Sequence, residues 1–400
     1  MYKAKVNKAS NQDRILECLY RHPGISRKDI SDITGITPAT VTTTVAAMCK
    51  EGLILELGQI EEDRGTIGRS RIALGINAAY GYTVGVEFTF TSLTTCAADM
   101  AGKLLYSASI PYSPAVGEAI TDLVVESIQR CLDCLALPQN KLLGIGIGVP
   151  GHMDVEEHYL VTTNEKWRDF DGQKIRQAFS CPVVFENNIR CMAARQYLHH
   201  GEHTPSTFAL FHVGRGMYCA NVTEDGLYIG TTYGSGEIGH TIAVRGGKRC
   251  ECGKRGCLET VASETALLEK AGMLYQIDEN TILRSLAPSA QQLTIEHIAR
   301  AYALGEPSIR QIMMQALEYL CIATLNVAIL MNPGTIFLHG RLFNCQEIQE
   351  DFLEMVKKEF DFTGNNYRLG SVGFLRSEPT DGALGSAALA ILKCVIHAFA

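Results

Sequence analysis

The chain has a single tryptophan among its 400 residues, and no uninterrupted run of 18 or more apolar residues. The second absence removes the plainest sign of a membrane-spanning helix. The first 14 residues are polar and lack the apolar core of a secretory signal. A cytoplasmic chain without membrane insertion is therefore expected. No fixed-period repeat and no low-complexity tract is present. Cysteine is not scarce, at 14 residues, but most of them lie singly in apolar stretches. In a reducing compartment such thiols are small buried hydrophobes rather than disulfide partners.

The composition, 46% hydrophobic and 20% charged, is that of a globular chain and excludes a largely disordered one. The length predicts two to three domains. The net charge of -7 argues against nucleic-acid binding by the chain as a whole. Its distribution is uneven, however. Residues 1–75 hold 11 Lys and Arg against 9 Asp and Glu, and the remainder holds 25 against 34. A more basic N-terminal segment on an acidic body suggests a nucleic-acid module.

Residues 1–76 read as three short helices and a strand–turn–strand. Ile15, Leu16 and Leu19 predict a helix over about 11–21, stopped by Pro23 and Gly24. Ser26 caps a second helix, which Gly35 ends. Thr37 is the cap and Pro38 the first residue of a third, which runs to about Lys50. LILEL and RIALGI then alternate as two strands. This order predicts a winged helix-turn-helix; a plain three-helix adaptor domain is the alternative. On the third helix Val41, Val45 and Met48 share one face, opposite Ala39, Thr40, Thr43, Ala47 and Lys50. Small, uncharged side chains let a helix backbone sit deep in a groove of duplex DNA. Ala39, Thr40 and Thr43 are therefore candidates for base contacts, thymine methyls included. Arg27, Lys28 and Lys50 are candidates for phosphate, and Arg69 or Arg71 for a minor-groove contact from the wing.

From about residue 81, strands alternate with helices, so the body, residues 77–400, is expected to be α/β. Paired strands are predicted in YTVGVEFTF and TTCAADM, buried strands in LLGIGIGVPG and TIFLHG, and further strands in FALFHVG and MYCANV. VVFENNIRCMAARQYL reads as a strand running into a helix. Helices are expected near 117–135, 263–274, 295–304 and 309–331, with a small-residue helix in GALGSAALAILKCVI. Cys131 and Cys134 form a CxxC on a helix with no second pair, which favours packing. His199, His200 and His203 crowd a helix end and read as a solvated loop, since no thiol or carboxylate completes a metal set.

The strongest local signal joins His240, Cys250, Cys252 and Cys257 in GHTIAVRGGKRCECGKRGC. Three thiolates and one imidazole suit tetrahedral Zn²⁺, and a site filled by four protein ligands is closed and structural. Lys248, Arg249, Lys254 and Arg255 would offset its negative charge. A solvated loop with chance cysteines is the alternative.

The stretch GEIGH…CECGKRGCLET resembles the signature of the ROK family (repressors, open reading frames and sugar kinases). GIGVPG at 146–151, Glu186-Asn187-Asn188, MNPGTIFLHG at 331–340 and ALGSAALA at 383–390 fall in the family's order. The resemblance covers nearly the whole chain. With the N-terminal module it points to the repressor branch, that of the xylose and N-acetylglucosamine repressors. It implies an actin-like, hexokinase-type domain of two α/β lobes, the C-terminal helix packing back on the first. A sugar or sugar phosphate would lie in the cleft. Carried over by position, its contacts would be Asn187, Asn188, Glu237, His240 and Glu259, with Asn164 in the same cleft. Carboxylate, amide and imidazole groups are apt partners for vicinal hydroxyls. His240 would use one ring nitrogen for the metal and the other for a hydroxyl.

The family's kinases place an aspartate base directly after the asparagine. Here that position is Asn188, and an amide does not take a proton at neutral pH. In the first phosphate loop Thr89 and Phe90 stand where glycines are expected, and Glu87 where a metal-associated aspartate is expected. In the second, Gly214 and Gly216 survive, and Met217 and Tyr218 are expected to crowd the loop. The expected function is thus a DNA-binding repressor, a homodimer or homotetramer on double-stranded operator DNA, that senses a sugar without phosphoryl transfer. The alternatives are a bifunctional ATP-dependent sugar kinase with a DNA-binding arm, and a repressor released by a partner protein.

Overall fold

The three N-terminal helices form because their ends are chemically specified. Before α1 (Asn11–Arg21), the Ser10 hydroxyl accepts from the Asp13 amide at 3.1 Å, while Asp13 accepts from the Ser10 amide at 2.9 Å. Ser26 and Asp29 repeat this capping box before α2 (Arg27–Thr34), which ends at a left-handed Gly35. Thr37 caps α3 (Pro38–Lys50), with Pro38 in its first turn. β1 (Ile54–Gln59) pairs antiparallel with β2 (Ile72–Ile76). Ile15, Leu16, Leu19, Ile30, Val41, Val45 and Met48 form the core of this winged helix-turn-helix.

The computed structural model describes residues 10–60, 71–112, 120–135, 137–154, 158–161, 167–199, 204–230, 234–360 and 370–397. Arg69, Asn164, His200 and His203 lie outside them. The chain continues through β3 (Tyr82–Phe88), β4 (Ser92–Asp99), β5 (Leu104–Pro111), α4 (Ile120–Leu135), β6 (Leu142–Val149), β7 (His152–Met153), β8 (Leu160–Val161), α5 (Gly172–Ala178), β9 (Val183–Asn187) and α6 (Asn188–His199). A second series follows: β10 (Phe208–Val213), β11 (Met217–Thr223), β12 (Gly226–Leu227), α7 (Glu259–Ala262), α8 (Glu264–Ile277), α9 (Leu283–Leu286), α10 (Ile295–Ala303), α11 (Pro307–Met331), β13 (Thr335–His339), α12 (Gln346–Phe360) and β14 (Ser371–Leu375). The last helix is α13 (Asp381–Ile391), followed by a π-helical turn at Leu392–Ile396.

These elements make two compact units: Met1–Thr204 with Pro379–Ala400, and Pro205–Glu378. Each unit has one five-stranded sheet of the same design. The first runs β5-β4-β3-β6-β9, the second β12-β11-β10-β13-β14. In both, three antiparallel strands are followed by two parallel ones reached through helices. The duplicated design has no counterpart in a sequence repeat.

α13 packs directly on the first sheet, and glycine makes this possible. A Cβ at Gly85 would stand 1.9 Å from the Ala383 carbonyl oxygen, and one at Gly146 would stand 1.8 Å from that of Ser386. The second unit is built round α11, whose inward residues include Met313, Leu317, Leu320 and Ala328. By length and a mean hydropathy of 1.6 this helix could cross a membrane, although no uninterrupted apolar run announced it. Its inward face lies instead in the core of the unit.

Several elements were not anticipated, the short β7, β8, α5, β12, α7 and α9 among them. β5 is a largely exposed edge strand, and β14 closes the other sheet at its edge. α12 does carry a helical signal, with Ile348, Phe352 and Val356 four residues apart and buried. His199 also departs from expectation. It ends α6 and packs edge-on against Tyr20 at 5.5 Å, rather than lying in a solvated loop.

Gly146→Ala forces backbone against backbone with no side chain able to yield. It should cost about 3 kcal/mol or more, the upper end for overpacking. Denaturant titration of the purified variant reads this loss directly.

Candidate functional site

His240 sits in a single 3-10 turn, and the three cysteines lie on the loop that leads into α7. Gly256, at φ +77°, lets the loop fold back, since a Cβ there would strike the Val244 carbonyl oxygen at 1.6 Å. His240, Cys250, Cys252 and Cys257 each place one ligand atom within 4.8 Å of the others. His240 Nδ1 is 3.6 Å from Cys250 Sγ, and Cys252 Sγ is 3.6 Å from Cys257 Sγ. Metal–ligand bonds of about 2.0–2.3 Å at tetrahedral angles require ligand separations of about 3.5–3.8 Å. The donor set therefore fits Zn²⁺, and the sulfur separation is far too long for a disulfide.

The other ring nitrogen, His240 Nε2, faces Glu237 Oε2 at 3.9 Å. Carboxylates in this position orient metal-bound imidazoles. Glu259 opens α7 in the same unit, and burial pushes its carboxyl above the ordinary value. The structure thus brings Glu237 and His240 together. In the nearby second glycine loop the Gly214 amide donates to the Gly216 carbonyl at 3.0 Å. Met217 and Tyr218 do not crowd this loop. They open β11, with Met217 in the core and Tyr218 donating to the Ser235 carbonyl at 2.7 Å.

In the first unit, Asn187 ends β9 and Asn188 begins α6. Asn187 is buried. Its amide donates to the Gly151 carbonyl at 3.1 Å, and its oxygen accepts from the Ile189 and Arg190 amides, so it also caps α6. Asn188 Nδ2 donates to Glu87 Oε1 at 3.0 Å. Glu87 lies at the end of β3 with its carboxyl against Gly382, and burial pushes that carboxyl up to about 7; the Asn188 bond opposes the shift and Asp381 adds to it. Beside Asn187, burial alone would raise Glu186, but Lys393 at 3.7 Å and Arg190 at 3.2 Å hold it below the usual range.

The turn after β3 is closed by its own side chain. Thr89 Oγ1 accepts from the Thr91 amide at 3.3 Å and the Ser92 amide at 3.2 Å. Phe90 packs on Trp167, ring centres 4.3 Å apart. Neither the Glu87–Asn188 pair nor the Phe90–Trp167 contact had a sequence signal, because each joins residues far apart in the chain.

On the N-terminal module Ala39, Thr43, Ala47 and Lys50 are exposed and Thr40 is half-buried. The Thr43 hydroxyl donates back to the Ala39 carbonyl at 3.1 Å. Lys28 is exposed, while Arg27 pairs with Glu56 at 2.8 Å and Arg71 with Asp29 at 3.3 Å. Partly exposed pairs of this kind are worth little and exchange readily for phosphate.

The buried Glu87 carboxyl makes stability depend on pH. Between about 4.5 and 7 the folded chain keeps a proton there that the unfolded chain releases. The resulting stabilisation is complete below about 4.5 and is lost as pH rises through 7. Glu87→Gln should therefore be more stable than the parent at pH 8, on the order of 1–3 kcal/mol, with the difference fading toward pH 4.5. Denaturant titrations at both pH values check the sign.

Residues 83–393 match the model of the ROK family, and residues 11–54 that of winged helix-turn-helix DNA-binding domains. The chain is 25% identical over 387 residues to the xylose repressor of Bacillus subtilis (strain 168), covering 96% of this chain and 95% of that one. It is 23% identical over 347 residues to the DNA-binding transcriptional dual regulator NagC of Escherichia coli (strain K12), covering 85% and 82%. The crystal structure of a ROK family transcriptional regulator, a homolog of the E. coli MLC protein, superposes with a TM-score of 0.75 at 21% identity, over 97% of each chain. With its duplicated sheets of actin-like, hexokinase-type design and its N-terminal winged helix-turn-helix, this chain belongs to the ROK family.

Proposed function

We propose that the protein is a transcriptional repressor that binds operator DNA through residues 1–76 and senses a sugar or sugar derivative through residues 77–400. The observation that carries this reading is the outer face of α3, built of the small residues Ala39, Thr40, Thr43 and Ala47 with Lys50 at its end, on a body with a sugar-kinase fold. Thr43 spends its hydroxyl on the Ala39 carbonyl, which leaves its methyl for contact with thymine methyls. Lys28, Lys50, Arg27 and the wing arginines Arg69 and Arg71 supply phosphate and minor-groove contacts. A dimer or tetramer presents two such modules to a pseudo-palindromic site. This reading places the protein in the cytoplasm with its operator.

For the ligand, Glu237, His240 and Glu259 are the candidate contacts in one unit, and Asn164, Asn187 and Asn188 those in the other. Zn²⁺ on His240, Cys250, Cys252 and Cys257 is structural in this reading: it holds the loop and fixes the imidazole beside Glu237. Phosphoryl transfer is lost. Asn188 bonds to Glu87 where a base would stand, and the Thr91 and Ser92 amides are already taken by Thr89. Removal of a base alone slows such chemistry by about 10²–10⁴-fold. Loss of close backbone approach to phosphate removes positioning as well. The kinase alternative draws support from the surviving Gly214–Gly216 loop; sugar-dependent ATP consumption by the purified protein would favour it.

Thr43→Glu places a carboxylate against the DNA. Selection from a random duplex pool should enrich a palindromic sequence with the parent protein and nothing with the variant, while both melt at the same temperature. Elemental analysis of protein prepared without added metal should give one zinc per chain. Cys252→Ser should lose it, and with it any rise in melting temperature on adding a sugar.

A further inference from the structure

Helix α6 joins the two functional ends of the first unit. Its first residue, Asn188, and the cap before it, Asn187, are candidate ligand contacts. Its last turn lies against α1 of the DNA-binding module. There the Tyr197 hydroxyl donates to Glu17, the Arg21 guanidinium sits 4.7 Å over the Tyr197 ring, and His199 meets Tyr20. Tyr20 in turn donates to the Met100 carbonyl at 2.8 Å. The DNA-binding module is therefore docked on the first sheet's unit by side-chain contacts, not merely tethered to it.

Between these ends α6 has no slack. Ile189, Arg190, Cys191, Ala193, Ala194, Gln196, Tyr197 and Leu198 are all buried. α13 passes so close that a Cβ at Gly385 would lie 2.6 Å from the backbone of Cys191 and Met192. Arg195, on α6, pairs with Asp381 at the start of α13 at 3.0 Å. The π-helical turn that continues α13 also reaches α1, where His397 approaches the buried Asp13 of its capping box at 4.0 Å. Twelve residues of helix span about 18 Å. Packed interiors pass such displacements on rather than absorbing them.

We propose that α6 is the coupling element of this protein, and that Tyr197 is the positioning residue through which a change at Asn188 reaches α1. Ligand engagement at Asn187 and Asn188 shifts α6 along or about its axis. Tyr197 and His199 carry that shift to Glu17 and Tyr20, and α1 carries it to α3 through the shared core of Ile15, Leu16 and Val45. Only what drives the shift rests on the ligand reading above; the coupling itself is a property of the free chain.

Amide hydrogen exchange on the full-length protein, without ligand or DNA, tests this. Asn188→Ala removes the bond to Glu87 at one end of α6. Protection of the α1 amides should change by about fivefold or more, the lower range of site-to-site coupling, while the β10 amides of the other unit stay unchanged. In a Tyr197→Phe background the same Asn188→Ala change should move α1 by less than about twofold. Unchanged α1 protection in the single variant, or an equal factor in both backgrounds, overturns the proposal. If Asn188→Ala does not fold, Asn188→Asp provides the same comparison by setting a carboxylate against Glu87. Failure of every sugar in a thermal-shift screen would sink the ligand reading and leave the exchange result standing.

Discussion

The first unit depends on two polypeptide backbones touching. α13 can lie on β3 and β6 only because Gly85 and Gly146 offer no side chain, and because its own inner face is Ala383, Ser386, Ala387 and Ala390. From that contact the rest follows. α13 presses on α6, its first turn meets the Glu87 carboxyl, and its continuation reaches α1. A larger residue at either glycine would disturb the sheet, Asn187 and Asn188 at the head of α6, and the docking of the DNA-binding module together.

The amide at position 188 has a structural part of its own. Asn188 gives its donor to Glu87, and a buried carboxyl so placed is held near neutrality. Two facing carboxylates in that enclosed space would repel one another, whereas an amide and a carboxyl satisfy each other. The grouping of His240 with Cys250, Cys252 and Cys257 plays the corresponding part in the second unit, where little secondary structure spans His240 to Cys257 and four side chains converge.

What could be read from the sequence was what is local. The first N-terminal helix announces itself by Ile15, Leu16 and Leu19, although its cap at Ser10 was not read, and the other two by Ser26 and Thr37, whose side chains bond within three residues. The candidate metal ligands lie within 18 residues, and their spacing stands out against glycine. The Glu87–Asn188 bond spans 101 positions and the Tyr197–Glu17 bond 180, and neither leaves a pattern. Asn187 was legible as a candidate ligand contact but not as the cap of α6, because capping is decided by where β9 stops. Edge strand β5 was missed because an exposed strand need not alternate. The crowding expected at Met217 and Tyr218 failed for a related reason: MYCANV reads as a strand, but the tertiary packing decides that its first side chains turn into the core and toward Ser235.

The position of α13 also bears on how the protein is made. β3 and β6 leave the ribosome early, yet the helix that covers their glycine face begins at Asp381, more than 200 residues after β6 ends. At about 5–20 residues per second, that interval is roughly 10–50 s. Throughout it, one side of the first sheet and the seat of α6 stand uncovered. The DNA-binding module, complete within its first 76 residues, is thus synthesised long before its mount is finished. A nascent chain can hold a folded winged helix-turn-helix before the unit on which it docks is complete.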